Sequence, residues 1–196
     1  MMRCAKLPAI VIVLLVAGCV GKVAYTPTIR YAVEPAVSIA GAAQTPRTLA
    51  VRSLQVARPY SRTKIVYRAE GHMLGDYEHV EWAEHPDEVV LRALRDALVA
   101  SGRFEDVGSA LDVVNPDLIL TGELRRFDEV RTSDPWQACC EIRLVLRGGP
   151  DRNAVWAETL SASVPLQQND VAALPVAMNE AVSAVVERAA AQIAAH

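Results

Sequence analysis

The 196-residue chain lacks what most catalytic and cofactor motifs require. It has no His-Glu-x-x-His run: His72, His79 and His85 are spaced too widely for one helical turn to present two of them to a zinc ion. His79-Val80-Glu81 matches only the His-x-Glu half of a zinc deaminase signature, and Cys139-Cys140 lacks the Cys-x-x-Cys spacing of the other half. There is no Gly-x-Ser-x-Gly elbow, Gly-rich phosphate loop or dinucleotide fingerprint. The sequence therefore names no catalytic residue, no metal ligand and no cofactor. Its charge is scattered and its net charge is −3, so no basic patch points to nucleic acid as a partner. The apolar stretch between Lys6 and Lys22 also falls short of the roughly 20 residues a membrane-spanning helix needs.

That stretch has instead the three parts of an export signal: Arg3 and Lys6, then the apolar run Leu7 to Ala17, then small residues ending in a cysteine. Val16-Ala17-Gly18-Cys19 resembles the lipobox of bacterial lipoproteins. The resemblance implies cleavage before Cys19 and a covalent lipid on its thiol; the alternative is an ordinary secretory signal that happens to contain Cys19. Two or more acyl chains hold firmly to a bilayer, since each buried methylene contributes about 0.8 kcal/mol. Residue 20 is Val rather than Asp, which points to the outer membrane with the domain facing the periplasm. Losing Arg3 and Lys6, and no acid, moves the net charge from −3 to −5.

At 52% hydrophobic and 22% charged, the remainder reads as one globular domain. Residues 1–18 are the expected signal peptide, 19–46 the lipidated end and tether, and 47–196 the domain. The tether assignment rests on the Pro, Thr, Ala and Gly content of 20–47, which shows no sustained period. Ile29 to Val33 is the exception, β-prone and able to pair with a sheet edge. Strands are expected over 48–57, 64–69, 73–83, 117–128, 136–147 and 154–166. One helix begins at Pro86 and stops at Gly102, with Val90, Leu94, Ala97 and Leu98 as its buried stripe. A second begins near Asn169 or Asp170, kinks or restarts at Pro175, and buries Met178, Val182, Val185, Ala189 and Ile193. The order predicts an α+β fold: a single mixed or mainly antiparallel sheet of about six strands with two helices packed on one face.

Alternation across the fifth of those strands sends Cys140 inward with Ile142 and Leu144 and leaves Cys139 facing out. Two separate thiols are expected; a vicinal disulfide is the alternative. GHMLGDYEHVEWAEHPDE, residues 71–88, gathers three histidines and six carboxylates. Its acids Glu81, Glu84, Asp87 and Glu88 surround a helix N-terminus, where each stabilises by roughly 0.3 to 1 kcal/mol. Tyr77 and Trp82 lock this segment onto the core or line a contact surface.

The ordered set Lys64-Ile65-Val66-Tyr67-Arg68, Leu74-Gly75-Asp76-Tyr77-Glu78, Trp82-Ala83-Glu84, Pro86 and Ser101-Gly102-Arg103-Phe104 resembles the ABC-type transport auxiliary lipoprotein family. Arg30 to Pro35 and Arg126-Phe127 extend the likeness over about residues 30 to 190. Arg58-Pro59-Tyr60-Ser61 departs from the family's usual turn. The resemblance implies a non-catalytic periplasmic accessory, partnered by an ABC permease and ATPase and an MCE-domain protein that move lipids or other hydrophobic molecules between the two membranes. It also leaves room for self-association. A tether of roughly 25 residues would reach at most about 85 Å. Two other readings stand beside it: an outer-membrane lipoprotein that activates a peptidoglycan synthase, and a hydrolase using His79 or His85.

Overall fold

The structure, a computed structural model, describes residues 26–148 and 151–196. The lipobox cysteine Cys19 and the signal segment lie outside the described residues. The domain is α+β, as expected, but its sheet contains nine strands rather than about six.

The longest elements are β7 (Leu118–Val130), β8 (Gln137–Gly148) and β9 (Asn153–Pro165), an antiparallel meander. The other edge of β7 is filled piecewise. β2 (Thr45–Val51), β3 (Gln55–Val56) and β4 (Lys64–Arg68) lie end to end along it, all parallel to β7. Arg52 N–H to Leu120 O and Ala57 N–H to Leu124 O carry the pairing across the breaks. The 48–57 segment expected as one strand is thus two, parted by Arg52 to Leu54.

Beyond β4 come β5 (Leu74–Trp82), antiparallel, and β1 (Ile29–Tyr31), parallel to β5. Beyond β2 comes β6 (Phe104–Ser109), parallel. The sheet is mixed: its long ladders are antiparallel, but five of its eight pairings are parallel. Helix α1 (Pro86–Ala100) supplies the return that lets β6 run parallel to β2.

Pro86 occupies the first turn of α1, with Asp87 and Glu88 beside it, and Gly102 takes φ +62° just past its end. A 3-10 turn over Val171–Ala173, capped by the Asp170 side chain, precedes α2 (Leu174–Ala194), so the helix restarts at Pro175 rather than kinking there. All nine residues expected on the two buried stripes are buried. They join one core with Leu120, Leu124, Phe127, Cys140, Ile142, Leu144 and Leu146, the helix-facing side of β7 and β8.

The tether is shorter than expected. Residues 29–45 lie on the domain as a strap beside α2: Val33 is buried, Glu34 N–H donates to Asn179 Oδ1 (2.7 Å), and Ser38 N–H donates to Glu187 Oε1 (2.9 Å). Ala42 N–H then reaches Ser101 O at the end of α1 (2.9 Å). Alanine and proline in this stretch fit an extended strap as well as a tether, because few side chains need room against the helix. In limited trypsin digestion, the bond after Arg30 is expected to survive until global unfolding. A native-state fragment beginning at Tyr31, identified by mass, would show the strap to be loose.

Candidate functional site

The three histidines are exposed and stand on separate elements: His72 in a short turn with φ +64°, His79 on β5 and His85 just before α1. Of the acids around the start of α1, Glu84 pairs with Arg92 and Glu81 with Lys64 and Arg30. No group of three His, Cys, Asp or Glu side chains among the described residues is placed to hold a metal ion. Trp82 is core: it is buried and packs edge-on against Phe127, ring centres 5.4 Å apart at 82°. Tyr77 is half-buried and belongs to a polar cluster that the sequence reading did not identify.

That cluster is built on the end of β7, Arg125 to Arg131. Strict alternation cannot place both Leu124 and Phe127 on the helix side, because they are three positions apart. A bulge between Leu124 and Arg126 absorbs the extra residue. After it, Phe127, Glu129 and Arg131 point to the helix side while Arg126 and Asp128 point to the open side. Asp128 and Glu129 are both buried, one on each face.

On the open side Asp128 accepts from Tyr60 Oη (2.9 Å), Arg68 Nε (3.2 Å) and Arg126 Nη2 (2.9 Å). On the helix side Glu129 accepts from Tyr77 Oη (3.0 Å) and from Arg131 Nε. The Arg131 guanidinium lies over the Tyr67 ring, 3.6 Å from its centre, with Trp136 at 4.6 Å and Tyr77 at 5.0 Å. Gly75 sits beneath Tyr67: a Cβ there would meet the ring at 2.5 Å, so the missing side chain makes the space for it.

Burial and the neighbouring Asp128 charge push Tyr60 up to about 12; burial and Glu129 likewise raise Tyr77. Both phenols are therefore protonated donors at neutral pH. Asp128 is held by two arginines and a phenol and Glu129 by one of each, so the cluster works as a clamp joining β4, β5 and β7. A raised folded-state pKa gives stability that is present below the unfolded value near 10 and lost as pH rises toward 12. Wild-type stability, followed by urea unfolding, is expected to fall by about 2 to 3 kcal/mol between pH 9 and 12 more than that of Tyr60→Phe. Equal declines in the two proteins would remove Tyr60 from this account.

Cys139 and Cys140 are free thiols. Cys140 faces the core as expected, and burial pushes it up to about 12. Cys139 points the other way but is buried rather than facing out, because Ser163 of β9 lies against it (Sγ to Oγ 3.0 Å) and Arg126 is nearby; burial raises its pKa too.

The model of the ABC-type transport auxiliary lipoprotein component matches residues 28–194, and the chain belongs to that family. No curated protein matches it. Among solved structures, it is similar to a Xanthomonas campestris protein of the DUF330 family, at 22% identity and a TM-score of 0.75 over 85% of this chain and 95% of that one. It is also similar to an uncharacterized protein at 12% identity and a TM-score of 0.67 (86% and 99% covered). A hypothetical protein from Chlamydia trachomatis follows at 10% identity and a TM-score of 0.53 (78% and 100% covered). At these identities the likeness is one of fold. The family makes the chain an auxiliary lipoprotein of ABC-type transport, a component of the cell envelope held by a lipid anchor.

Proposed function

We propose that this protein is the outer-membrane-anchored accessory of an ABC transport system that moves lipids or other hydrophobic molecules between the inner and outer membranes. It docks the MCE-domain component at the periplasmic face, without catalysis of its own. The observation that carries this reading is the family match over nearly the whole described domain. The strap sharpens it. Only nine residues, ten steps along the chain, separate Cys19, the proposed lipid attachment site, from Ile29 at the start of β1. Fully extended, they reach about 33 to 36 Å. The domain is therefore leashed close to its own membrane, and the inner-membrane component must cross the gap to meet it.

The test is co-purification of the MCE protein and permease with the tagged full-length lipoprotein from crosslinked cells. Recovery of the MCE protein with wild type and its loss with Cys19→Ala support anchored docking. Repeated recovery of neither component would sink the reading.

A further inference from the structure

The face of the sheet turned away from the helices is open and strongly basic in one place. Two adjoining depressions lie on it. The first, of about 390 Å³, is lined by Arg52, Gln55, Thr121, Glu123 and Arg143 among others. The second, of about 290 Å³, is lined by Arg52, Ile119, Thr121, Arg147 and Arg152. They share Arg52 and Thr121, which form one continuous groove floor.

The strand register explains why the arginines converge. On β8, Arg143 is level with Glu123 and Arg147 with Ile119, so both flank Thr121 on the same face, one pleat to each side. Arg52, whose N–H is bonded to Leu120 O, approaches the same point from the opposite edge of β7. Arg152 closes the groove from the β8–β9 turn. It holds φ +51°, a conformation costly for any residue but glycine, and its carbonyl accepts from Arg147 Nη1 (3.1 Å).

These four arginines line the two depressions on a chain whose net charge is negative. None has a carboxylate partner among the described residues. The one carboxylate in the lining, Glu123, is already held by Arg125 Nε at 3.0 Å. Uncompensated like charges repel, so a groove lined by four of them is a place where a bound anion would be stabilised.

We propose that this groove binds the phosphate of an anionic glycerolipid headgroup. The guanidinium fork matches two phosphate oxygens at once, which an ammonium does not. The volumes suit a headgroup. An auxiliary lipoprotein is moreover held beside a phospholipid surface by its own anchor. The site stands on the groove's chemistry and does not depend on the identity of the transport partner.

The test uses the full-length lipoprotein in uncharged detergent micelles, titrated calorimetrically at fixed ionic strength with glycerophosphoglycerol and separately with inorganic phosphate. Saturable binding of glycerophosphoglycerol, weakened at least about tenfold by either Arg52→Gln or Arg147→Gln, is the expected result. Both arginines are exposed, so thermal midpoints should not move and lost binding can be read as a lost site. Inorganic phosphate binding more weakly than the headgroup supports a lipid source. Inorganic phosphate binding as tightly, with the same sensitivity to both variants, overturns the lipid assignment in favour of free phosphate. No wild-type binding at millimolar ligand, or binding unchanged in both variants, overturns the site itself.

Discussion

Replacing Asp128 with alanine is expected to destabilise the domain by about 3 to 5 kcal/mol, read as a lower urea midpoint at unchanged slope. Asp128 is wholly buried and is the common acceptor for Tyr60, Arg68 and Arg126. Without it, two guanidinium groups face each other with no anion between them, and a buried phenol loses its acceptor. Both arginine side chains keep about a third of their surface exposed, at 30% and 31%, so water recovers part of the loss and the lower end of the range is expected. Asp128→Asn keeps an acceptor and removes the charge, and should cost about half as much. The quadruple change Asp128→Leu, Arg68→Met, Arg126→Met, Tyr60→Phe should recover most of the stability, because an apolar set of similar volume leaves neither an unpaired charge nor an orphaned buried phenol. A loss below about 1 kcal/mol for Asp128→Ala would show that the cluster contributes little.

Gly122→Ala is expected to destabilise by about 1 to 3 kcal/mol, against the usual sign for a glycine in extended backbone. Removing a flexible glycine would by itself stabilise by about 0.4 to 1 kcal/mol through the unfolded chain. Here the added Cβ would lie 2.5 Å from Leu144 Cδ2, 3.1 Å from Leu54 Cδ2 and 2.7 Å from the Arg143 carbonyl oxygen. Side-chain ends can swing aside. The carbonyl belongs to the β7–β8 ladder and cannot move without disturbing the pairing of two long strands. A melting temperature equal to or above wild type would mean that the ladder yields more easily than its length suggests.

Much of the fold was legible because local patterns and tertiary environment agree. Alternation in β8 sorted Cys140, Ile142, Leu144 and Leu146 onto one face, and every one of them is core. Helical spacing likewise identified both buried stripes. β6 was missed because Phe104 to Ser109 reads FEDVGS: an edge strand with one fully buried residue carries almost no apolar period. The strap was missed for a related reason, since its bonds go to Asn179 and Glu187, more than a hundred residues away.

The charge clamp left a faint trace. Arg126 with Asp128, and Glu129 with Arg131, are opposite charges two residues apart, the spacing that puts partners on one face of a strand. That pattern could have flagged the pairs. It could not have shown that Asp128 and Glu129 are buried, because their other partners, Tyr60, Arg68 and Tyr77, lie 52 to 68 residues away in sequence.

What the sequence determined alone was whatever depends on neighbours along the chain: both helices with their buried stripes, the start and stop of the first, the long antiparallel meander, and the family. The tertiary structure alone decided which residues from distant segments meet. It laid the expected tether against α2 and so shortened the leash. It filled one edge of β7 with three parallel pieces, buried two carboxylates among arginines and tyrosines, and gathered Arg52, Arg143, Arg147 and Arg152 around Thr121. The physical reason is the same in each case. Helix caps and alternation act over a few residues, whereas desolvated charge pairs and convergent cations exist only once the sheet has brought remote strands into register.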